Sequence, residues 1–202
     1  MKKVVCTLLP ILVIALAFGT VSAMAQNAPD DFYALGYYSG ANTTGNPDTT
    51  LRVINDGSAG EANLCAAFYV FDNSQEMQSC CSCPVTADGI ISESVNRNLL
   101  GNVLTAAVNK AGVIKVLSVS EPPTGCDARA SGIGTLTAGI RGWITHIQAG
   151  KTAATPQITE AELKDSNNTA TENSDLELEC QFLVRLGSGH GVCSCQGEDT
   201  AW

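Results

Sequence analysis

The hydrophobic positions of this chain fall into short segments separated by turn residues. Apolar segments rich in β-branched and aromatic residues begin at Leu51, Leu64, Gly112 and Trp143, and Asn, Asp, Gly and Pro residues separate them. This spacing is typical of an antiparallel β-sandwich. We therefore predict a mainly β, sandwich-like single domain.

Residues 64–71 (LCAAFYVF) are apolar at every position, so both faces of a strand formed by them would be buried. We predict a central strand here, with Cys65 in the interior. Residues 51–54 precede it across an Asn-Asp-Gly turn. We expect the two segments to form a hairpin or to lie as antiparallel neighbours.

Residues 151–174 are polar, acidic and poor in aromatic residues. Such a composition does not provide enough apolar surface for a packed element. We predict that most of this segment is a polar surface loop.

Residues 175–186 fit two patterns. Apolar and polar positions alternate along the segment, which indicates a strand. A capping box formed by Ser174 and Glu177, followed by Gly187 after the last apolar position, indicates instead a short C-terminal helix. The resemblance described below favours the helix.

The N-terminus has the three parts of a secretory signal peptide. Lys2 and Lys3 are the positive part, residues 4–19 are an almost unbroken apolar run, and Ala-Met-Ala precedes Gln26. The apolar run is shorter than the roughly 20 residues that span a bilayer. We predict cleavage between Ala25 and Gln26.

Cleavage there removes residues 1–25 and leaves residues 26–202 as one secreted domain, periplasmic or extracellular, without a membrane span. The signal peptide contains two lysines and no acid, so the formal net charge falls from −9 to −11. Nucleic acids and anionic lipids are bound through clustered Lys and Arg, which are sparse here. The charge therefore argues against both as partners.

The chain contains nine cysteines, of which Cys6 leaves with the signal peptide. Eight remain, an even number in an exported chain, which indicates up to four disulfides with 105 connectivities open. They should reinforce a hydrophobic core rather than replace one. The disulfide candidates are Cys65, Cys80, Cys81, Cys83, Cys126, Cys180, Cys193 and Cys195.

Five of the eight cysteines lie in two clusters, C-C-x-C at 80–83 and C-x-C at 193–195. Adjacent cysteines do not readily bridge each other. We therefore expect two members of the first cluster to pair with the two members of the second. A further hypothesis pairs Cys126 with Cys180 and leaves Cys65 for the remaining member of the first cluster.

Metal binding is the alternative interpretation of the same clusters, because thiolate and imidazole suit zinc or copper(I). The paired C-x₂-C spacing of a convincing zinc site is absent, and the C-x-x-C at 80–83 lacks a βαβ context for redox catalysis. We therefore expect no cofactor. The alternative ligands are Cys80, Cys81, Cys83, His190, Cys193 and Cys195.

No catalytic motif stands out. The G-x-S-x-G motif of hydrolases is absent, and the glycine-rich segment 187–191 is interpreted as a tight turn. His146 and His190 are the two histidines, and His146 lies in an apolar segment where we expect a hydrogen-bonded structural residue. We assign no catalytic residue.

Four stretches of this sequence resemble a group of short secreted bacterial proteins of unknown function. The C-C-x-C-P motif is the most specific element of the likeness. In that group the segment matching 175–186 looks helical, which implies a helix here, and no activity is assigned to the group. The matching stretches are residues 51–57 (LRVINDG), 64–72 (LCAAFYVFD), 75–84 and 187–193 (GSGHGVC).

These observations lead us to expect a non-enzymatic secreted or cell-surface module, structural or ligand-binding, that disulfides stabilise. The alternative is an extracellular thiol or metal-binding protein that uses the two cysteine clusters. The ligand and the partner stay open. Self-association through an exposed strand and binding to a cell-surface partner both agree with the sequence.

Overall fold

The computed structural model describes residues 30–45, 47–60, 62–106, 109–148 and 157–196. Within them the chain forms two antiparallel sheets and a short C-terminal helix, which confirms the mainly β, disulfide-reinforced sandwich. The predicted signal peptide, with its cleavage site between Ala25 and Gln26, lies outside the described residues. Of the helices described, none combines the length and apolar character needed to cross a bilayer.

The first sheet contains β1 (Asp30–Ser39), β3 (Leu64–Asp72), β4 (Met77–Val85), β6 (Ala111–Ser120) and β9 (Lys164–Ser166). Its strand order is β4-β3-β6-β1-β9. The second sheet contains β2 (Thr50–Asn55), β5 (Ile90–Ser94), β7 (Ile140–Gln148) and β8 (Gln157–Glu162), in the order β5-β2-β7-β8. A single turn of π-helix (Val95–Leu99) follows β5, and the α-helix α1 spans Ala170–Leu186.

Strand β3 lies inside the first sheet and is buried on both faces. Ala66, Phe68 and Val70 belong to the apolar cluster between the two sheets. Ala67 and Tyr69 belong to a second cluster on the opposite face, which also contains the buried residues of α1. The prediction of a central strand that is apolar on both faces is confirmed, because the second sheet covers one face and α1 covers the other.

The expected pairing of segments 51–54 and 64–71 is wrong. Strand β2 pairs with β5 and β7 in the second sheet, whereas β3 pairs with β4 and β6 in the first. The link between β2 and β3 is long enough to cross from one sheet to the other. Local turn residues therefore do not decide between a hairpin and a crossing connection.

The helix predicted over residues 175–186 is confirmed, but it begins earlier, at Ala170. Thr169 is the N-cap, and its hydroxyl oxygen accepts a hydrogen bond from the Glu172 amide at 3.0 Å. The predicted capping box at Ser174 and Glu177 is wrong, because both residues lie inside the helix.

The alternating pattern of this segment comes from two apolar stripes on one helix. Leu176, Cys180 and Leu183 are buried against the first sheet. Leu178 and Phe182, each two positions after a buried residue, are exposed. The two sets interleave along the sequence and imitate the period of a strand.

The surface-loop prediction for 151–174 is wrong for its described part, residues 157–174, which form β8, β9 and the first turn of α1. Strand β8 is exposed at every position and pairs with β7. A polar sequence suits a strand at the edge of a sheet. Between β8 and β9, Leu163 is buried and its N–H donates to the Gly142 carbonyl at 2.8 Å, so it anchors the crossing between the sheets.

Candidate functional site: the disulfide cleft

Strand β4 presents its cysteines on both of its faces. Cys80 lies in the apolar cluster beneath α1, whereas Cys81 and Cys83 lie in the cluster between the sheets. Successive side chains of a strand point to opposite faces, so two adjacent cysteines reach two different layers of the fold. This geometry explains why they sit side by side in the sequence.

All eight cysteines of the described residues are paired. The four disulfides are Cys65–Cys126, Cys80–Cys180, Cys81–Cys193 and Cys83–Cys195. The last two join the first cysteine cluster to the second, as expected from the sequence.

The expected pairing of Cys126 with Cys180 is wrong. Cys180 lies on the buried face of α1 and bonds to Cys80 of β4. Cys126 lies in the loop after β6 and bonds to Cys65 of β3. Cys80 lies in the apolar cluster that contains Ala67 and Tyr69, and the alternation of β3 places Cys65 on the same face as those two residues, so both bonds lie on the α1 side of the first sheet.

The C-terminal tail, which we define as residues 191–195, lies along the outer edge of β4. The Cys80 amide donates to the Gly191 carbonyl at 3.0 Å, and the Cys193 amide donates to the Cys80 carbonyl at 3.3 Å. Cys80 and Val192 form a parallel bridge. The tail therefore covers part of an edge that would otherwise be open to pairing.

Gly191 starts the tail in a conformation that favours glycine, with φ of +83°. A Cβ atom at this position would lie 1.6 Å from Cδ2 of Leu183, a buried residue of α1. The absence of a side chain at Gly191 lets the tail pass closely over the C-terminal part of the helix.

A cleft of about 530 Å³ lies where β4, α1, the loop after β6 and the tail meet. Its volume falls within the range of small-molecule sites, roughly 300–1,000 Å³. We call it the disulfide cleft, because every one of the four disulfides contributes at least one cysteine to its wall. It is lined by Cys80, Cys81, Ser82, Thr124, Gly125, Cys126, Asp127, Ala128, Arg129, Cys180, Val184, Val192, Cys193 and Cys195.

The charged groups of the cleft are an ion pair on the loop after β6. Arg129 donates from Nε to Asp127 Oδ1 at 2.8 Å and from Nη2 to Asp127 Oδ2 at 2.6 Å. These hydrogen bonds hold the pKa of Asp127 below its usual range although burial opposes the shift, and they raise the pKa of Arg129. Both groups are therefore charged near neutral pH, and the two-point contact fixes the orientation of the guanidinium.

Ser82 contributes a further polar atom. It lines the cleft, and its Oγ is buried without a hydrogen-bond partner among the described residues. An unpaired buried hydroxyl has a free-energy cost that a ligand group or a water can relieve.

The structure brings together only part of the alternative metal-ligand set. The Sγ atoms of Cys81, Cys83 and Cys195 lie within 4.8 Å of one another. His190 is exposed and is not part of this group. In the oxidised protein these sulfur atoms are bonded in disulfides, and metal ligation by cysteine requires the thiolate.

Neither histidine lines the disulfide cleft. His146 is buried in β7, and its ring stacks on Tyr37 with a centroid distance of 4.0 Å. Its Nδ1 has no hydrogen-bond partner among the described residues, so the hydrogen bond that we expected is absent at this nitrogen. Burial lowers the pKa of His146, so the ring is neutral near pH 7.

Sequence reasoning identified the cysteines of the cleft but missed Ser82, Asp127 and Arg129. The signal for Asp127 and Arg129 was weak: an acid and a base two residues apart, directly after Cys126. Ser82 lies inside the first cysteine cluster, where the alternation of β4 places it on the same side as Cys80.

Comparisons with known proteins add little to this site. No family model matches the chain, and no curated protein matches it. Among solved structures, the chain is similar to "Crystal Structure of Thermotoga maritima 1070" at 8% sequence identity and a TM-score of 0.41. The match covers 68% of this chain and 95% of that one. Similarity at this level carries no inference about function.

Proposed function

We propose that this protein is a non-enzymatic binding module of the extracellular space, secreted or attached to a cell surface, that binds a small ligand in the disulfide cleft. One observation carries the proposal: all four disulfides contribute to the wall of a single cleft. Binding sites gain affinity when their walls are held in place before the ligand arrives.

The covalent bonds hold segments that are far apart in the sequence. Cys80–Cys180 joins β4 to α1 across 100 residues, and Cys81–Cys193 joins β4 to the tail across 112. Cys65–Cys126 fixes the loop that carries Asp127 and Arg129. The covalent framework thus holds together each segment that forms the cleft.

The lining of the cleft indicates the chemistry of the ligand. Ala128, Val184 and Val192, together with the cystine sulfur atoms, provide apolar surface. Arg129 and the unpaired Ser82 hydroxyl provide polar contacts. This combination suits a small ligand with an apolar ring or chain and an anionic or hydrogen-bonding group.

The location in the proposal depends on the predicted signal peptide and on the disulfides. Disulfides form and persist in oxidising compartments. Lys2, Lys3 and the Ala-Met-Ala motif before Gln26 supply the export signal.

The proposal is tested by titrating the oxidised mature protein with 8-anilino-1-naphthalenesulfonate, which has apolar rings and one anionic group. We expect saturable binding that Val184→Glu abolishes, because the longer side chain enters the cleft from α1 and its carboxylate repels the sulfonate. The control is Phe182→Ser on the exposed side of the same helix, which should leave cleft binding unchanged. Equal binding by the Val184→Glu variant would rule out the cleft as the site.

A second candidate function, metal binding by the reduced protein, is favoured by the three Sγ atoms that lie within 4.8 Å of one another. Reduction of Cys83–Cys195 would free both sulfur atoms as thiolates close to Cys81, and thiolates are ligands of tetrahedral metal sites. The reduced protein would be titrated with Co²⁺ under anaerobic conditions, and thiolate-to-metal absorption would be recorded. Cys195→Ser should weaken that absorption strongly, and its persistence would exclude this site.

A further inference from the structure

Helix α1 carries an apolar stripe that faces solvent. We define it as Leu178, Phe182 and Leu186, which are 43%, 60% and 76% exposed. Residues four positions apart lie one above the other on a helix, so the three form a continuous line. Single exposed apolar residues are common on protein surfaces, but a line of three on one helix face calls for a partner.

The exposed stripe is separate from the face by which α1 packs on the first sheet. The residues by which α1 packs on the first sheet, Leu176, Cys180 and Leu183, are at most 7% exposed. At about 100° per residue, the centres of the two sets lie roughly a third of a turn apart around the helix axis. The stripe therefore adds nothing to the packing of α1 on its own sheet.

The exposed stripe is also separate from the disulfide cleft. None of its three residues lines the cleft, whereas Cys180 and Val184 of the same helix do. A partner bound at the stripe would leave the cleft accessible, so the two sites can be tested independently.

Charged residues border the stripe. Asp175 and Glu179 are exposed, and helical geometry places Asp175 beside Leu178 and Glu179 beside Phe182. Arg185 lies on the other flank of the stripe. The described residues give neither Asp175 nor Glu179 an ion pair. Acidic groups beside an apolar line complement a partner that has basic groups beside its own apolar line.

We propose that the exposed stripe of α1 docks an amphipathic helical segment of another protein, with apolar residues at four-residue spacing and Lys or Arg beside them. Two helices that pack along such lines interdigitate their side chains as ridges and grooves. A second copy of this chain is a poorer occupant, because antiparallel pairing would place Asp175 and Glu179 of both copies on the same side. The net charge of −11 expected for the mature chain adds to that repulsion.

The probe is a synthetic 18-residue helical peptide of leucine and lysine with all leucines on one face, labelled for fluorescence anisotropy. We expect it to bind the oxidised mature protein, and Phe182→Ser to weaken binding at least about tenfold, because a central aromatic residue typically dominates such an interface. Phe182 is exposed, so this variant should retain the wild-type circular dichroism spectrum.

The matched control is Ile158→Ser, which removes a residue 56% exposed on β8 and should leave peptide binding unchanged. A peptide of leucine and glutamate should not bind, because its charges face Asp175 and Glu179. Equal binding by wild type and the Phe182→Ser variant would overturn the proposal. A wild-type dimer that Phe182→Ser converts to a monomer would also overturn it, since the occupant would then be a second copy.

Discussion

Cys80 and Cys81 are neighbours in the chain, yet their disulfides hold different layers of the molecule: Cys80 bonds to α1 on one face of β4, and Cys81 bonds to the tail on the other. The alternation of a strand produces this division directly. Cys83, two residues further on, lies on the same side as Cys81 and bonds to the same tail. One strand therefore anchors both the helix and the C-terminus.

The two tail disulfides are expected to act as a partly redundant pair. Cys81–Cys193 and Cys83–Cys195 each span 112 residues. If one is removed by alanine substitution of both cysteines, the other still closes the long loop, and the loss should be about 2 kcal/mol. Removing both leaves Cys80–Cys180 in place and frees only the segment after Cys180, a loop of about 15 residues whose closure contributes about 3 kcal/mol. The combined loss should therefore exceed the sum of the single losses by about 1 kcal/mol. Urea unfolding of the four proteins measures this coupling, and additive losses would contradict it.

Of the two tail disulfides, Cys83–Cys195 should be reduced first. Cys195 is exposed, whereas Cys81 and Cys193 are buried. A small thiolate can therefore attack Sγ of Cys195 and release the thiolate of Cys83, and a second thiolate then frees Cys195. Limited treatment with dithiothreitol, alkylation and peptide mass spectrometry should find the first labels on Cys83 and Cys195.

The next product in this series follows from the short distances between sulfur atoms. Sγ of Cys81 lies within 4.8 Å of the sulfur atoms of Cys83 and Cys195. Either freed thiolate can attack Cys81, break Cys81–Cys193 and release Cys193. A Cys81–Cys195 or Cys81–Cys83 bond should therefore appear before Cys80–Cys180 is lost. First labelling at Cys80 and Cys180 would show that exposure does not control the order.

How much of this fold could be predicted depended on whether the signal was local. The central position of β3 could be predicted, because a strand of eight consecutive apolar residues must be covered on both faces. The strands that pair with β3 could not be predicted in this way. The pairing of β3 with β4 and β6 depends on which sheet the chain enters after β2. Strand β8 was not predicted because an exposed strand at the edge of a sheet needs no apolar residues.

The same distinction applies to the candidate site. The two cysteine clusters indicated that the tail returns to the first cluster, because adjacent cysteines do not readily bridge each other and need separate partners. The partner of Cys180 depended on the orientation of α1, which the sequence left open between helix and strand. Asp127 and Arg129 directly follow Cys126, whose bond to Cys65 was not predicted, so their position in the cleft wall was not predicted either.

His146 should make the stability of the fold depend on pH below neutrality. Burial lowers its pKa in the folded state from the ordinary value of 6.5, so the unfolded chain takes up a proton first as the pH falls. Its contribution to stability is therefore present well above pH 6.5 and is lost progressively as the pH falls through that value. Asp127, whose pKa is lowered from 3.8, titrates below this window.

The variant that tests this dependence is His146→Phe, which keeps an aromatic ring against Tyr37 without a titratable group. The free energy of unfolding should fall between about pH 7.5 and pH 5.5 in the wild type, and by less in the variant. Equal slopes in the two proteins would show that other groups cause the dependence.

Gly191 and Gly189 allow the packing of the tail on α1 to be separated from backbone strain. Both have positive φ, +83° and +93°, so alanine at either should cost on the order of 1–2 kcal/mol. A Cβ atom at Gly189 meets open space, whereas one at Gly191 lies 1.6 Å from Leu183 Cδ2. Gly191→Ala should therefore destabilise the fold by a further 1–3 kcal/mol, about the usual cost of overpacking. Urea unfolding measures these losses of stability, and the added loss at Gly191 should be smaller in a Leu183→Ala background, which makes room for the new Cβ atom. Equal losses of stability for Gly189→Ala and Gly191→Ala would contradict close packing of the tail on the helix.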